Sequence, residues 1–418
     1  MAALILAIAV GIALRFAYPL DIEWKADEHW SFEHAQSMLA GGGWPPIGMP
    51  TSVGAPNPGL SLWIMTALTS LFDVHSPPQL AHAVQTLNGL ALIAFGFFAC
   101  FAVPPEKREP WLWAAALWAL NPIAMIYERK IWPPSVLPLF SVAFLWAWWL
   151  RRNRAAAFAW GLLGAAMAQI HLGVAFLAIV IAAWTWIHDG KAFRWLSWLA
   201  GSAVGALPAI PWLIEMLRHG SGAAMHLRAP VAQFFLRWFT QPFGFGVDFT
   251  LARGEIAAFL ASPSVGGHPT WLMAAAHVVL GLLLAAVEAM ALRRALATGS
   301  MSARQIFLGD TQETVLIAAC LWGYGAALLL VSLAGSDSPR HYMIVIAPVM
   351  ALWAAMAVLY GDRSPRRRTA RAILVAVCVC QAAISAGLLF YLHQNGGAHG
   401  GDFGATWAAQ QPGYVARR

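Results

Sequence analysis

Long apolar runs recur along this chain from Leu4 to Leu392, with no polar stretch between them long enough to make a folded water-soluble module. Of its 418 residues, 60% are hydrophobic and 11% charged, and the mean hydropathy is +0.62. Soluble domains run about 45–50% apolar and about 25% charged, which excludes that class. At about 20 residues per crossing, the apolar residues furnish about 11 transmembrane helices, with a range of about 10–12. The expected fold is all-α: a polytopic integral membrane protein in which residues 1–418 form one integral membrane domain.

Hydropathy places the spans at about 2–20, 81–103, 111–126, 134–150, 155–170, 172–187, 195–217, 271–292, 312–333, 341–360 and 372–391. The first lacks a basic leader and a small-residue cleavage site and carries Arg15 near its far end, so it reads as a retained helix. An arginine in hydrocarbon is costly and is paired or functional by default, so a carboxylate partner is expected in the acidic loop that follows. Cys100, Cys320, Cys378 and Cys380 all lie in apolar runs with no CxxC spacing, and neither a disulfide framework nor a zinc ribbon is indicated.

The net charge of +7 and pI near 9.5 come from short basic clusters between spans, a topology signal and not a nucleic-acid footprint. With the N-terminus in the cytoplasm, 15 Lys and Arg residues fall in the short inner loops and 10 in the longer outer segments. Arg far outnumbers Lys and Ala dominates the spans, which points to a GC-rich bacterial source, hence a cytoplasmic (inner) membrane with the active side periplasmic. The first outer loop is 21–59 with a juxtamembrane segment 60–72, the second is 218–270, and the tail is 392–418.

Asp21, Glu23, Asp27, Glu28 and Glu33 fall within 13 residues just after the first span, the most acidic stretch of the chain. From Glu28 to Ala40 the pattern is an amphipathic helix, with Asp27 as its N-cap and Gly41-Gly42-Gly43 as its stop. On the residues alone, these acids are either a cap and a solvated face or the seat of a general base held at the membrane surface. One base suffices when the leaving group is a phosphate, which departs without protonation, whereas a glycosidase needs two carboxylates. Cations are then needed to balance charge growing on that phosphate.

The run from Asp27 to Gly42 resembles the loop after the first helix in GT-C membrane glycosyltransferases of family 39, the protein mannosyltransferase and aminoarabinose transferase superfamily. Ser52 to Leu60 is similar to that family's Pro-containing lead-in to a juxtamembrane helix. Arg129-Lys130-Ile131-Trp132, the helical pair from Gly161 to Trp184, and Arg340-His341-Tyr342 ahead of a helix with Pro348 match in family order. The resemblance implies a transferase with a polyprenyl-phosphate sugar donor, Asp27 as catalytic carboxylate, and Glu28 beside it positioning the acceptor or a metal. The chain departs where aminoarabinose transferases carry Glu-Lys-Pro, having Pro56-Asn57-Pro58, and at His171, where many relatives carry Lys.

Arg129, Lys130, Arg340 and His341 stand at one outer level and are either headgroup contacts or the cations that hold the lipid phosphate. His171, Asn57 and Arg228 are candidates for the acceptor side. His29 and Glu33 share a helix face and could hold a divalent metal, although no HExxH spacing is present. The acceptor is left open as lipid, glycan or protein, with no nucleic-acid partner. Two other classes compete: a lipid-linked glycan ligase or polymerase relying on Arg228, Arg237 or His268, and a lipid flippase or transporter, which requires ionisable residues at mid-bilayer.

Overall fold

The computed structural model describes residues 2–51, 56–220, 232–297, 302–333, 340–359 and 366–414. Helix α1 (Ala2–Phe16) leads into a first loop that carries α2 (Ala26–Ser37) and α3 (Leu60–Leu71). Then come α4 (Pro77–Phe97), α5 (Arg108–Leu120), α6 (Pro122–Tyr127), α7 (Leu137–Trp149), α8 (Arg154–Ile170), α9 (Val174–Asp189), α10 (Trp195–Ala206) and α11 (Ile210–His219). The second long loop holds α12 (Gln233–Thr240), α13 (Val247–Thr250), α14 (Arg253–Ala261) and a hairpin of β1 (Ser264–Val265) with β2 (His268–Pro269). After it follow α15 (Leu272–Ala297), α16 (Ala303–Leu308), α17 (Gln312–Ala318), α18 (Gly325–Leu333), α19 (Ala347–Leu359), α20 (Arg366–Asn395) and a second hairpin, β3 (Gly397–Ala398) with β4 (Gly404–Ala405).

Each of the eleven expected crossings is helical. Among the described residues, seven runs are long and apolar enough to cross a membrane: Pro77–Ala102, Val174–Ala192, Trp195–His219, Leu272–Met290, Gln312–Leu333, Arg340–Leu359 and Arg367–Asn395. The other four, α1, α5 with α6, α7, and α8, are shorter or interrupted. The break between α5 and α6 has a local cause: Pro122 lacks an N–H, and the Asn121 side chain accepts from the N–H groups of Ile123 and Ala124 at 3.0 and 3.1 Å, starting a new helix.

In lipid, apolar surface alone does not drive helices together, so close packing must. Between α8 and α10 it comes from Gly161, Gly201 and Gly205, where a methyl group would collide with the carbonyls of Trp198, Phe158 and Leu162. Backbones therefore touch directly. Large aromatics fill the remainder, with Trp111, Trp118, Trp148 and Trp160 fully buried.

Charged loops sort to the two ends of the bundle in the alternation expected of successive crossings. One end gathers Lys107 with Glu313 (3.4 Å), Arg151 with Asp189 (2.8 Å), and Glu109 with Arg367 and Arg371. The other gathers the two long loops, the turn at residues 128–132, Arg340 and the tail.

Candidate active site

Glu128, Arg129 and Lys130 follow α6 in a single turn, and each does something different. Glu128 points into the bundle and accepts from Arg15 Nε at 2.6 Å and from Trp118 Nε1 at 2.9 Å. Arg15 is 0% exposed and also donates to the carbonyls of Gly11 and Ala119. Its carboxylate partner is thus Glu128, and not a residue of the acidic loop as the sequence led us to expect. A charge in the bundle interior is tolerable only when paired in this way.

Arg129 was expected at a lipid phosphate, but it is buried and committed elsewhere. Its guanidinium donates to the carbonyls of Leu14, Arg15, Ala17, Tyr18 and Asp21 at 2.7–3.4 Å. Leu14 and Arg15 lie in the last turn of α1, whose carbonyls lack helical partners and where a cation meets the negative end of the helix dipole, and Ala17, Tyr18 and Asp21 follow it. Arg129 therefore shapes the exit of α1.

Lys130 alone of the three reaches the polar cavity, a space of about 180 Å³ lined by Glu23, Asp27, Glu28, Tyr127, Trp132 and His341 together with Lys25, Phe249 and Asp402. Its ammonium lies 2.6 Å from Glu23 and 3.6 Å from Asp402. Burial would strip its proton, but Glu23, Glu28, Tyr127 and Asp402 together outweigh burial and hold Lys130 charged. Glu23 also lies 2.7 Å from Lys25; burial raises its carboxyl, and Lys130 and Lys25 counter that only in part.

Helix α2 begins at Ala26, so Lys25, not Asp27, is its N-cap, and Asp27 sits inside the first turn, exposed on the cavity wall. Glu28 turns the other way. It is 1% exposed, and its Oε2 accepts from the backbone N–H of Lys25 at 3.3 Å. Burial, and then the neighbouring Glu23 charge, push its carboxyl up to about 8. Two adjacent acids thus differ in kind: Asp27 faces the open space, whereas Glu28 is buried behind it and holds its proton at neutral pH. The expected stop after α2 is present, with Gly41 and Gly43 at φ 95° and 77°.

The late loop closes the far side. Arg340 donates to the carbonyl of Gly246 at 2.6 Å and lies 3.4 Å from Asp248, over the Phe249 ring at 5.1 Å. Gly246 has φ 125°, and a side chain there would strike the guanidinium, so the contact requires glycine. The buried Nε of Arg340 has no hydrogen-bond partner among the described residues. Arg237 is close enough for the two like charges to oppose each other: burial, then Arg340, lowers Arg237 to about 10. The cavity is thus lined by carboxylates and lysines, and Arg340 stands just outside it, over Phe249.

His341 lines the cavity and packs its ring on Trp132 (4.7 Å), His171 (5.0 Å) and Tyr342 (4.8 Å). His171 therefore supports His341 from behind and is not itself among the lining residues. Asn57 is pinned, donating to Met49 O at 3.1 Å and accepting from Leu172 N at 3.3 Å, so it ties the first loop to the turn after α8. His29 and Glu33 lie 4.0 Å apart on the exposed face of α2, with the His29 ring tilted against Trp24. Among the described residues no three His, Cys, Asp or Glu side chains are grouped to hold a metal ion. His226 and Arg228 lie outside the described residues, and His268 sits on the exposed β1–β2 hairpin.

The tail supplies what the sequence reading passed over. Trp407 and Ala408 donate their N–H groups to the carbonyls of Ile22 and Leu20, Thr406 bridges Glu23, and the Gln410 side chain donates to Trp24 O at 2.7 Å. The N–H groups of Asp402 and Phe403 donate to Phe249 and Thr250. The tail is thus stitched to both long loops, and it places Asp402 against Lys25 (3.4 Å) and Lys130 (3.6 Å).

The sequence matches no protein-family model and no curated protein sequence. At the level of structure, the chain shares the GT-C fold of ArnT from Cupriavidus metallidurans. The apo form of that protein superposes with a TM-score of 0.57 at 13% identity, over 94% of this chain and 76% of that one. The form bound to undecaprenyl phosphate gives 0.52 at 14% identity over the same shares. The oligosaccharyltransferase AglB from Archaeoglobus fulgidus, in complex with an inhibitory peptide and a dolichol-phosphate, aligns at 0.48 and 13% identity over 92% of this chain and 55% of that one.

Proposed function

We propose that this chain, with its GT-C fold, is a membrane glycosyltransferase moving a sugar from a polyprenyl-phosphate-linked donor to a lipid, glycan or protein acceptor. The reaction takes place at the cavity end of the bundle, on the periplasmic side of a bacterial inner membrane. The observation that carries this reading is the polar cavity in which exposed Asp27 and the Lys130 ammonium share one lining, with Arg340 next to it over the Phe249 ring. ArnT, which shares the fold, has been captured with undecaprenyl phosphate, and that supports a lipid phosphate as the donor's carrier.

Asp27 takes the proton from the acceptor O–H or N–H as that atom forms its bond to the anomeric carbon. The bond from that carbon to the phosphate oxygen breaks at the opposite face, inverting the centre, and its electron pair leaves with the lipid phosphate. Lys130 and Arg340, with Arg237 behind, balance the charge gathering there. His341 and Trp132 form an aromatic wall for the sugar. Glu28, protonated, donates its O–H within the site and cannot compete as base. Asp402 holds the two lysines in place.

Asp27→Asn, assayed for sugar transfer in membranes with a polyprenyl-phosphate sugar, is expected to lose at least about 100-fold of activity, with thermal unfolding unchanged. Transfer at the wild-type rate by that variant overturns the assignment. Arg340→Ala is expected to raise the donor KM while leaving the acceptor KM unchanged.

A further inference from the structure

At the end of the bundle opposite the polar cavity, α1, α5 and α20 enclose a groove of about 590 Å³. Its wall is apolar over three turns, with Val10 from α1, Leu112 and Ala116 from α5, and Val375, Cys378 and Ala382 from α20. All of its charge lies at one extremity, where Arg108, Glu109 and Arg371 form the mouth. From Arg371 to Ala382 the groove runs eleven residues, about 16 Å at 1.5 Å per residue. That matches the hydrocarbon depth of a single leaflet, about 15 Å.

The mouth has an excess of cation. Glu109 accepts from Arg371 at 2.7 Å and also from Arg367, leaving Arg108 beyond its reach. Arg108 donates one N–H to the carbonyl of Val103 at 3.3 Å, and its buried Nε has no hydrogen-bond partner among the described residues. A charged head joined to an apolar slot one leaflet deep is the outline of an amphiphile. A partner helix fits poorly: eleven residues of helix about 10 Å across fill more than about 1,000 Å³.

We propose that this groove binds one anionic glycerophospholipid of the adjacent leaflet, its phosphodiester on Arg108 and Arg371 and one acyl chain between α1, α5 and α20. The site is separate from the polar cavity, and its occupancy does not depend on the glycosyltransferase reading.

The full chain, purified in detergent and equilibrated with equimolar phosphatidylglycerol and phosphatidylethanolamine, is examined by native mass spectrometry after washing. One phosphatidylglycerol per chain is expected to be retained, preferred about fivefold per engaged arginine over phosphatidylethanolamine. Arg108→Gln brings the preference toward parity. Leu112→Trp, which fills the slot and leaves the mouth intact, removes the lipid altogether. Equal retention of the two lipids by the wild type, or a preference that survives both substitutions, overturns the proposal. Loss of the bound lipid to millimolar inorganic phosphate also overturns it, because the mouth alone would then be the site.

Discussion

The two ends of the bundle draw on the same residue types and, the buried Arg151–Asp189 pair at the far end aside, use them in opposite ways. Away from the cavity, Arg367 and Arg371 reach Glu109 with side chains 43% and 52% exposed. Lys107, also 43% exposed, lies 3.4 Å from Glu313. Water screens such pairs, and each is worth about 0–1 kcal/mol. At the cavity end Glu23 and Lys130 are 1% and 6% exposed, and Glu28 is 1% exposed. There burial acts on the acids directly: it raises the Glu23 carboxyl even against the pull of Lys130 and Lys25, and it leaves Glu28 holding its proton. The difference is one of solvent access, and it turns ordinary acids and bases into groups with distinct protonation states.

The hardest test of that contrast is Arg15→Met, which strands Glu128 in the interior. It is expected to cost about 3–5 kcal/mol, read as a fall in the thermal unfolding midpoint in detergent; a shift within error removes the distinction between matched and screened charge. Next is Asp402→Ala, which releases Lys25 and Lys130 from the tail. Turnover is expected to drop about 10- to 100-fold with unfolding little changed, and undiminished turnover would take the tail out of the site.

A smaller effect is expected from Glu28→Gln, and its sign follows from the proton. The Glu28 carboxyl has an ordinary value of 4.5 and sits at about 8 in the folded chain. Folding therefore favours its protonated form. The stability this confers is complete below the ordinary value and is lost as pH rises through about 8. Unfolding midpoints of the wild type should fall across that window, while the Gln variant, neutral throughout, shows a flatter profile; parallel profiles would contradict the assigned protonation. The least effect belongs to Arg367→Gln, which leaves Glu109 with Arg371: at most about 1 kcal/mol with unaltered transfer, and a larger loss would mean that these pairs are not screened.

Much of the architecture was legible because each crossing is an apolar run that only lipid or a packed interior accommodates. The break at Asn121-Pro122 and the glycine stop after α2 follow from local chemistry as well. In the candidate site, residue type and level in the membrane pointed to the acidic loop, Lys130 and His341, which line the cavity, and to Arg340, which stands beside it. Adjacent cations could not be told apart: Arg129 and Lys130 differ in role because one turn of backbone aims the first at the end of α1 and the second at the cavity. Arg15 found Glu128 for a similar reason, since the partner depends on how α1 crosses α5. Asp402 left no trace in pattern, because its placement rests on backbone hydrogen bonds between segments almost a whole chain apart.

Those bonds also set an order of events during synthesis. The first loop leaves the ribosome early, yet Ile22 and Leu20 find their partners only when Trp407 and Ala408 have been made, after α20. Until then Lys25 and Lys130 lack Asp402. A chain halted after Asn395 would hold helices α1 to α20 and still lack Asp402 in the lining of its cavity, so residues 402–410 complete a site that residues 21–28 begin.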